Sequence, residues 1–160
     1  MRIIFLDIDG VLNDHSKLPG SVYCGILPRC VEQLNRVIAE TDCLIVLTSA
    51  WRYICLGQSK MNLRGFEYLL LTHGVVWPGC DILLGTLPLD CDEHKGNNRG
   101  QQIAEWIRDY GDERDIYAIL DDVPDGMSMK PVEHLLVKTD PKIGLTEIDA
   151  DKVISLLTGT

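Results

Sequence analysis

The strongest constraint on this chain lies at its beginning. Ile3, Ile4, Phe5 and Leu6 form an unbroken apolar run rich in β-branched and aromatic residues. A run of that length, closed by a turn signal, predicts a strand buried on both faces. It ends in Asp7, Ile8, Asp9 and Gly10. If the chain stays extended, the two carboxylates share one face; if it turns at Gly10, both point into one cavity. Like charges that close repel unless a cation lies between them or one carboxyl keeps its proton. A hard, oxygen-seeking cation such as Mg²⁺ satisfies the first condition. The plainer reading is a strand followed by an Asp-rich turn, so the rest of the sequence must decide.

Further along, apolar runs alternate with helical periodicity. Pro28 opens a helix at a first-turn position, with Val31, Leu34, Val37 and Ile38 as its core face. Cys43 to Leu47 is a second strand, ending at Thr48 and Ser49. A helix is expected near 62–73, with Phe66, Leu69 and Leu70 on one side. A weak strand follows over 81–84, with Gly85 closing it. A third helix spans about 99–110, carrying Ile103, Trp106, Ile107 and Tyr110, with Gly111 as its stop. Ile116 to Leu120 is a strand ending at Asp121 and Asp122, His134 to Val137 a shorter one. Thr146 N-caps a last helix over about 147–157. This alternation implies an α/β fold: a mostly parallel sheet with right-handed crossovers and helices on both faces.

Ligands of such sheets bind beyond the carboxyl ends of the strands. Three strands here end in polar residues at that edge: Asp7 with Asp9, Thr48 with Ser49, and Asp121 with Asp122. The acids are candidate Mg²⁺ ligands, and the hydroxyls are candidate phosphate donors. Arg99, with Lys95 as a substitute, is placed to return a positive charge to the same edge. A metal, a positive clamp, hydrogen-bond donors and an in-line nucleophile are the parts that phosphoryl transfer needs.

In these residues the chain resembles the haloacid dehalogenase-like (HAD) superfamily of phosphohydrolases. Its first motif, D-x-D-x-[T/V], is matched by Asp7, Asp9 and Val11. The second, a Thr or Ser after an apolar strand, is matched at Thr48, with Ser49 competing. The third, a Lys or Arg before the fourth strand, is matched at Arg99, and the fourth by the acidic pair Asp121 and Asp122. The resemblance implies a Rossmann-like five-stranded sheet and an aspartyl-phosphate mechanism. It implies Asp7 as nucleophile and Asp9 as general acid and base. The metal ligands would be Asp7, Asp121 and the Asp9 backbone carbonyl, with Asp122 supporting the shell. Receiver domains carry similar groups but place an acidic pair after the first strand and the phosphorylated Asp after the third, whereas here the adjacent pair, Asp121 and Asp122, comes at the fourth motif. Fainter likenesses in D-G-V-L-N, T-S-x-W-R and R-G-x-x-I-x-x-W point to small HAD-type domains of RNA-repair proteins.

Length and charge bound the rest. The 160 residues are expected to form one domain, 1–160. Residues 13–27 and 86–98 are too few for a folded cap, which leaves an open site suited to a phosphorylated nucleic-acid end, another large partner, or a small metabolite enclosed by an oligomer. The formal net charge of −9 argues against bulk binding to nucleic acid or anionic membranes. It leaves room for a local patch: no acid lies between Asp42 and Glu67, whereas Arg52, Lys60 and Arg64 do. Arg52 is a candidate phosphate contact, and Trp51 and Tyr53 beside it are either base-stacking or core residues. With no leader pattern and no long apolar span, the expected location is cytoplasmic, without a membrane partner. The six cysteines are scattered and read as free thiols; Cys80, Cys91 and His94 are too few for a standard zinc site. The four histidines show no partner pattern. Asp125 is either an assistant to Asp122 or an exposed loop acid. The competing functional class is a non-catalytic HAD-like module that binds phosphate or a partner, against which stands the presence of both Asp7 and Asp9.

Overall fold

The computed structural model describes residues 1–16, 25–51, 63–77, 83–87, 98–124 and 126–160. Its centre is a five-stranded parallel sheet in the order β3-β2-β1-β4-β5. The strands are β1 (Arg2–Leu6), β2 (Leu44–Leu47), β3 (Leu83–Thr86), β4 (Ile116–Asp121) and β5 (Leu136–Lys138). Four α-helices lie among the described residues: α1 (Pro28–Thr41), α2 (Leu63–Thr72), α3 (Arg99–Tyr110) and α4 (Glu147–Thr158).

Alternation along each strand explains the layers. Ile4 and Leu6 of β1, with Ile45 and Leu47 of β2 and Leu120 of β4, face one core shared with α1, α2 and α4. Ile3 and Phe5, with Val46 and Ile119, face the opposite core with Ile103 and Trp106 of α3. Phe5 meets Trp106 edge-on, with ring centroids 5.3 Å apart, a favoured aromatic geometry. The chain moves outward from β1 through β2 to β3, then returns past β1 to β4. Right-handed crossovers running in opposite directions across a sheet lie on opposite faces, so α3 stands apart from α1 and α2. No connection between elements is long enough for a large cap.

The elements expected from periodicity are present, with three differences at the margins. β3 is Leu83–Thr86 and contains Gly85, which was expected to close it. Its pairing with β2 shifts between Ile45 and Val46, so the strand is irregular where a period-two pattern would have marked it. β5 begins only at Leu136, because His134 lies in a single 3₁₀ turn, Glu133–Leu135. Gly111 ends α3, but with φ −79° rather than in the left-handed region; a Cβ there would overlap the Ile107 backbone carbonyl and the Tyr117 hydroxyl. Thr146 caps α4 as expected, in a capping box with Asp149. Among the described residues, no helix is long and apolar enough to cross a membrane.

Gly100 ties the fold to the edge described below. Its N–H donates to the Ser128 carbonyl at 3.0 Å, and a Cβ would overlap the Met129 and Lys130 carbonyls. Backbone cannot rotate aside as a flexible side chain can. Gly100→Ala should therefore cost about 1–3 kcal/mol, the usual range for overpacking, and swing the start of α3 away from the sheet. Urea denaturation measures this; an unchanged midpoint would show that the 128–130 segment gives way freely.

Candidate active site

Register brings the polar strand ends together. Leu6 pairs with Leu120 on one side and Leu47 on the other. The next residues continue both ladders: the Asp7 N–H donates to the Leu120 carbonyl at 2.9 Å, and the Thr48 N–H to the Leu6 carbonyl at 2.9 Å. Asp7 thus lies between Thr48 and Asp121. β1 and β4 are also where the strand order reverses, the crevice at which open α/β sheets bind ligands. Carboxylate oxygens of Asp7, Asp121 and Asp122 lie within 4.8 Å of one another, and all three residues are buried.

Three acids this close need compensation. Arg99, at the first turn of α3, supplies one positive charge. Its Nη1 donates to Asp7 Oδ2 at 2.6 Å and also to Asp121 Oδ2. Burial opposes the charge on the guanidinium, yet Asp7 and Asp121 outweigh it and hold Arg99 above its ordinary range. Backbone donors help: the Ile8 N–H meets Asp7 Oδ1 and the Val123 N–H meets Asp121 Oδ1, each at 2.7 Å. Val123 does so with φ 48°, a left-handed conformation costly for a β-branched residue. Even so, burial, reinforced by the charge of Asp7, pushes the Asp121 carboxyl up to about 6 against the opposing pull of Arg99. If all three acids ionise, one arginine leaves two negative charges uncompensated, which is the charge of one divalent cation.

The residues present fit such a cation. The donors are all oxygens, the preference of Mg²⁺. Gly10, at φ 71°, lies so near Asp122 that a Cβ would overlap that carboxylate. Glycine is thus required both for the turn and for the close approach.

The turn over residues 8–13 separates Asp9 from the other acids. Asp9 Oδ1 accepts from Asn13 Nδ2 at 2.8 Å, and Oδ2 from Trp51 Nε1 at 2.9 Å. Asp7 and Asp9 therefore have separate partners and do not share one cavity as side chains. The three-acid cluster contains Asp7, Asp121 and Asp122 but not the Asp9 carboxylate. Thr48 and Ser49 are buried at the end of β2. Arg52, Tyr53, Lys60, Lys95, Asp125, Cys80, Cys91 and His94 lie outside the described residues, as do Cys24 and Cys55; Cys30 and Cys43 are buried free thiols.

Three further residues belong to this edge: Asn13 and His15, which had no site role in the sequence reading, and Trp51, offered there only as a base-stacking or core residue. Asn13 accepts from the Gly10 and His15 N–H groups through Oδ1 while donating to Asp9. Trp51 packs edge-on against Phe66 and reaches Asp9. His15 Nε2 lies 3.1 Å from Asp122 Oδ2. Only Asn13 had a local signal, an amide three residues beyond a turn glycine; the other two depend on which strands lie side by side.

A parallel sheet with acidic strand ends flanking its switch point is the arrangement expected of the HAD-like class of domains. Within it, the family described as the HAD domain in Swiss Army Knife RNA repair proteins matches residues 3–150, and the chain belongs to that family. No curated protein matches the chain.

The raised carboxyl of Asp121 has a consequence for stability without metal. Its folded value lies near 6, above the ordinary 3.8, so the folded state holds this proton more tightly than the unfolded state. The resulting stabilisation is complete below about pH 4 and is lost as pH rises through 6. In EDTA, the parent should lose on the order of 1–3 kcal/mol relative to Asp121→Asn between pH 4 and 7. Parallel curves of Tm against pH for the two proteins would show that Asp121 does not titrate there.

Proposed function

We propose that the chain is a Mg²⁺-dependent phosphomonoester hydrolase working through an aspartyl-phosphate on Asp7, with a phosphorylated nucleic-acid end as its favoured substrate class. The observation that carries the reading is the convergence of Asp7, Asp121, Asp122 and Arg99 at the switch point of the sheet. The substrate class rests on the family's description and on the lack of room for a large cap, which leaves the edge open to a bulky phosphate ester.

Each residue has work to do. Asp7 is buried at a strand end that cannot shift without breaking its bond to Leu120, so its carboxylate meets the phosphorus from one direction. Arg99 pairs with Asp7 and offers its fork of donors to the transferring phosphoryl group. Thr48 and Ser49 stand at the neighbouring strand end as phosphate donors, with Arg52 as a further cationic contact. Asp9 gives a proton to the leaving oxygen and then takes one from water. Asp7, Asp121 and the Asp9 backbone carbonyl would hold Mg²⁺, with Asp122 supporting; when bound, the ion neutralises negative charge on the phosphoryl oxygens. The site is proposed to serve a single domain spanning 1–160, in the cytoplasm.

Two outcomes are expected. Purified protein should hydrolyse 4-nitrophenyl phosphate and a 3′- or 5′-phosphorylated oligonucleotide only with Mg²⁺. Asp7→Asn should abolish both activities, and Asp9→Asn should reduce that on the oligonucleotide ~10²–10⁴-fold, the usual worth of general acid–base help, and that on the aryl ester by less. Full turnover by Asp7→Asn would end the aspartyl-phosphate reading; phosphate binding without turnover by the parent would make this a binding module.

Mg²⁺ should also raise Tm, because a ligand that binds only the folded state stabilises it by mass action. Asp121→Ala should remove that shift, as followed by scanning fluorimetry against Mg²⁺ concentration. An undiminished shift in Asp121→Ala would take Asp121 out of the ligand set.

A further inference from the structure

Asp9 is held from two sides by groups that belong to different parts of the chain. On one side, Asn13 is buried, and its orientation is fixed because Oδ1 accepts both the Gly10 N–H at 3.0 Å and the His15 N–H at 3.2 Å. Its Nδ2 is thereby turned to Asp9 Oδ1. On the other side, Trp51 follows the end of β2, its own N–H on Ser49 Oγ. Its ring stands at 77° to Phe66 of α2, with centroids 6.3 Å apart, and its Nε1 meets Asp9 Oδ2. An aspartate carboxylate otherwise turns broadly about its last torsion. Two donors, one on each oxygen, fix its plane. Each oxygen retains a second lone pair, so the arrangement orients Asp9 without filling it.

We propose that the Trp51 indole N–H is a positioning group that, together with Asn13, holds the Asp9 carboxyl in the plane needed for proton transfer. The inference rests on the hydrolase reading above and adds to it a residue for which that reading has no use. In the first step an Asp7 oxygen bonds to phosphorus, the bond from phosphorus to the ester oxygen breaks, and that oxygen takes the Asp9 proton to leave as an alcohol. In the second, water attacks the phosphorus of phospho-Asp7 and Asp9 recovers a proton from it. The bond to Asp7 then breaks, releasing phosphate. Trp51 touches neither phosphorus nor leaving group; it acts through the orientation of Asp9.

That role predicts dependence on the leaving group. A 4-nitrophenolate departs without a proton, whereas an alkoxide needs one, so misplacing Asp9 should harm an alkyl phosphate most. The test compares kcat/KM for 4-nitrophenyl phosphate and glycerol 3-phosphate in the parent, Trp51→Phe, and a variant carrying 3-benzothienylalanine at position 51. The last keeps the indole shape and lacks the N–H, which guards against a packing defect in Trp51→Phe. Both variants should lose about tenfold or more kcat/KM on the alkyl ester beyond their loss on the aryl ester, through kcat rather than KM, a fraction of the full acid–base contribution. Equal losses on both esters, or none, overturn the proposal while leaving the hydrolase reading intact. A parent inactive on both esters overturns the two together. A second readout needs no turnover: the Trp51 indole N–H resonance, identified by its absence in Trp51→Phe, should move upfield in Asp9→Ala, while those of Trp77 and Trp106 stay. An unmoved Trp51 resonance overturns the contact itself.

Discussion

The pairing of β1 with β4 is the constraint on which the rest of this edge depends. Once Leu6 stands against Leu120, Asp7 has to lie beside Asp121, whatever the electrostatic cost. The same apolar side chains that drive the two strands into the sheet bring two carboxylates into a buried crevice. Hydrophobic burial is non-directional, but strand register converts it into placement at the level of single residues. The other features of the site answer that forced approach. Arg99 bridges the two acids, backbone N–H groups cover their outer oxygens, and Val123 adopts an unfavourable φ to supply one of them.

Arg99 reaches the crevice because of packing some distance from it. Gly100 lets the first turn of α3 lie against the 128–130 backbone, while Phe5 and Trp106 fix the helix over the sheet. The guanidinium is thus held by the fold and not merely attracted by the acids. A lysine on a mobile loop would satisfy the same charge count without the same direction, and a planar fork with several donors suits a carboxylate pair and a phosphate alike.

Periodicity and strand endings carried most of the architecture, because buried parallel strands are continuous apolar runs and α1, α3 and α4 have well-marked core stripes. The same logic placed Asp7, Asp121 and Asp122 at one edge. It was weakest at the two edge strands. β3 carries a register shift, and β5 is only three residues long, so neither has enough alternation to read. It also failed for contacts between side chains. Trp51 and Asp9 are 42 residues apart, and whether they meet depends on β2 neighbouring β1 and on the tight turn at Gly10. His15 shows the same limit: nothing around it in the chain announces Asp122, which is 107 residues away. The two carboxylates of D-x-D looked like partners because they are close in sequence; the turn leaves one in the three-acid cluster and sends the other to an amide and an indole.

The loop that carries Asp9 is fastened from the far end of the chain. The Thr139 hydroxyl donates to the Gly10 carbonyl at 2.7 Å, and the Leu145 N–H to the Val11 carbonyl at 2.7 Å. Gly144 sits so close that a side chain would strike Cys30 and the carbonyls of Val11 and Asn13. All the motif residues lie before position 123, yet the turn between them takes its shape from residues 139–145. During synthesis at the ribosome, the motifs emerge well before the brace that shapes them. In the nascent chain the acids and Arg99 therefore come first and the brace last, so the opening loop takes its final shape only when β5 and the turn after it have closed over it.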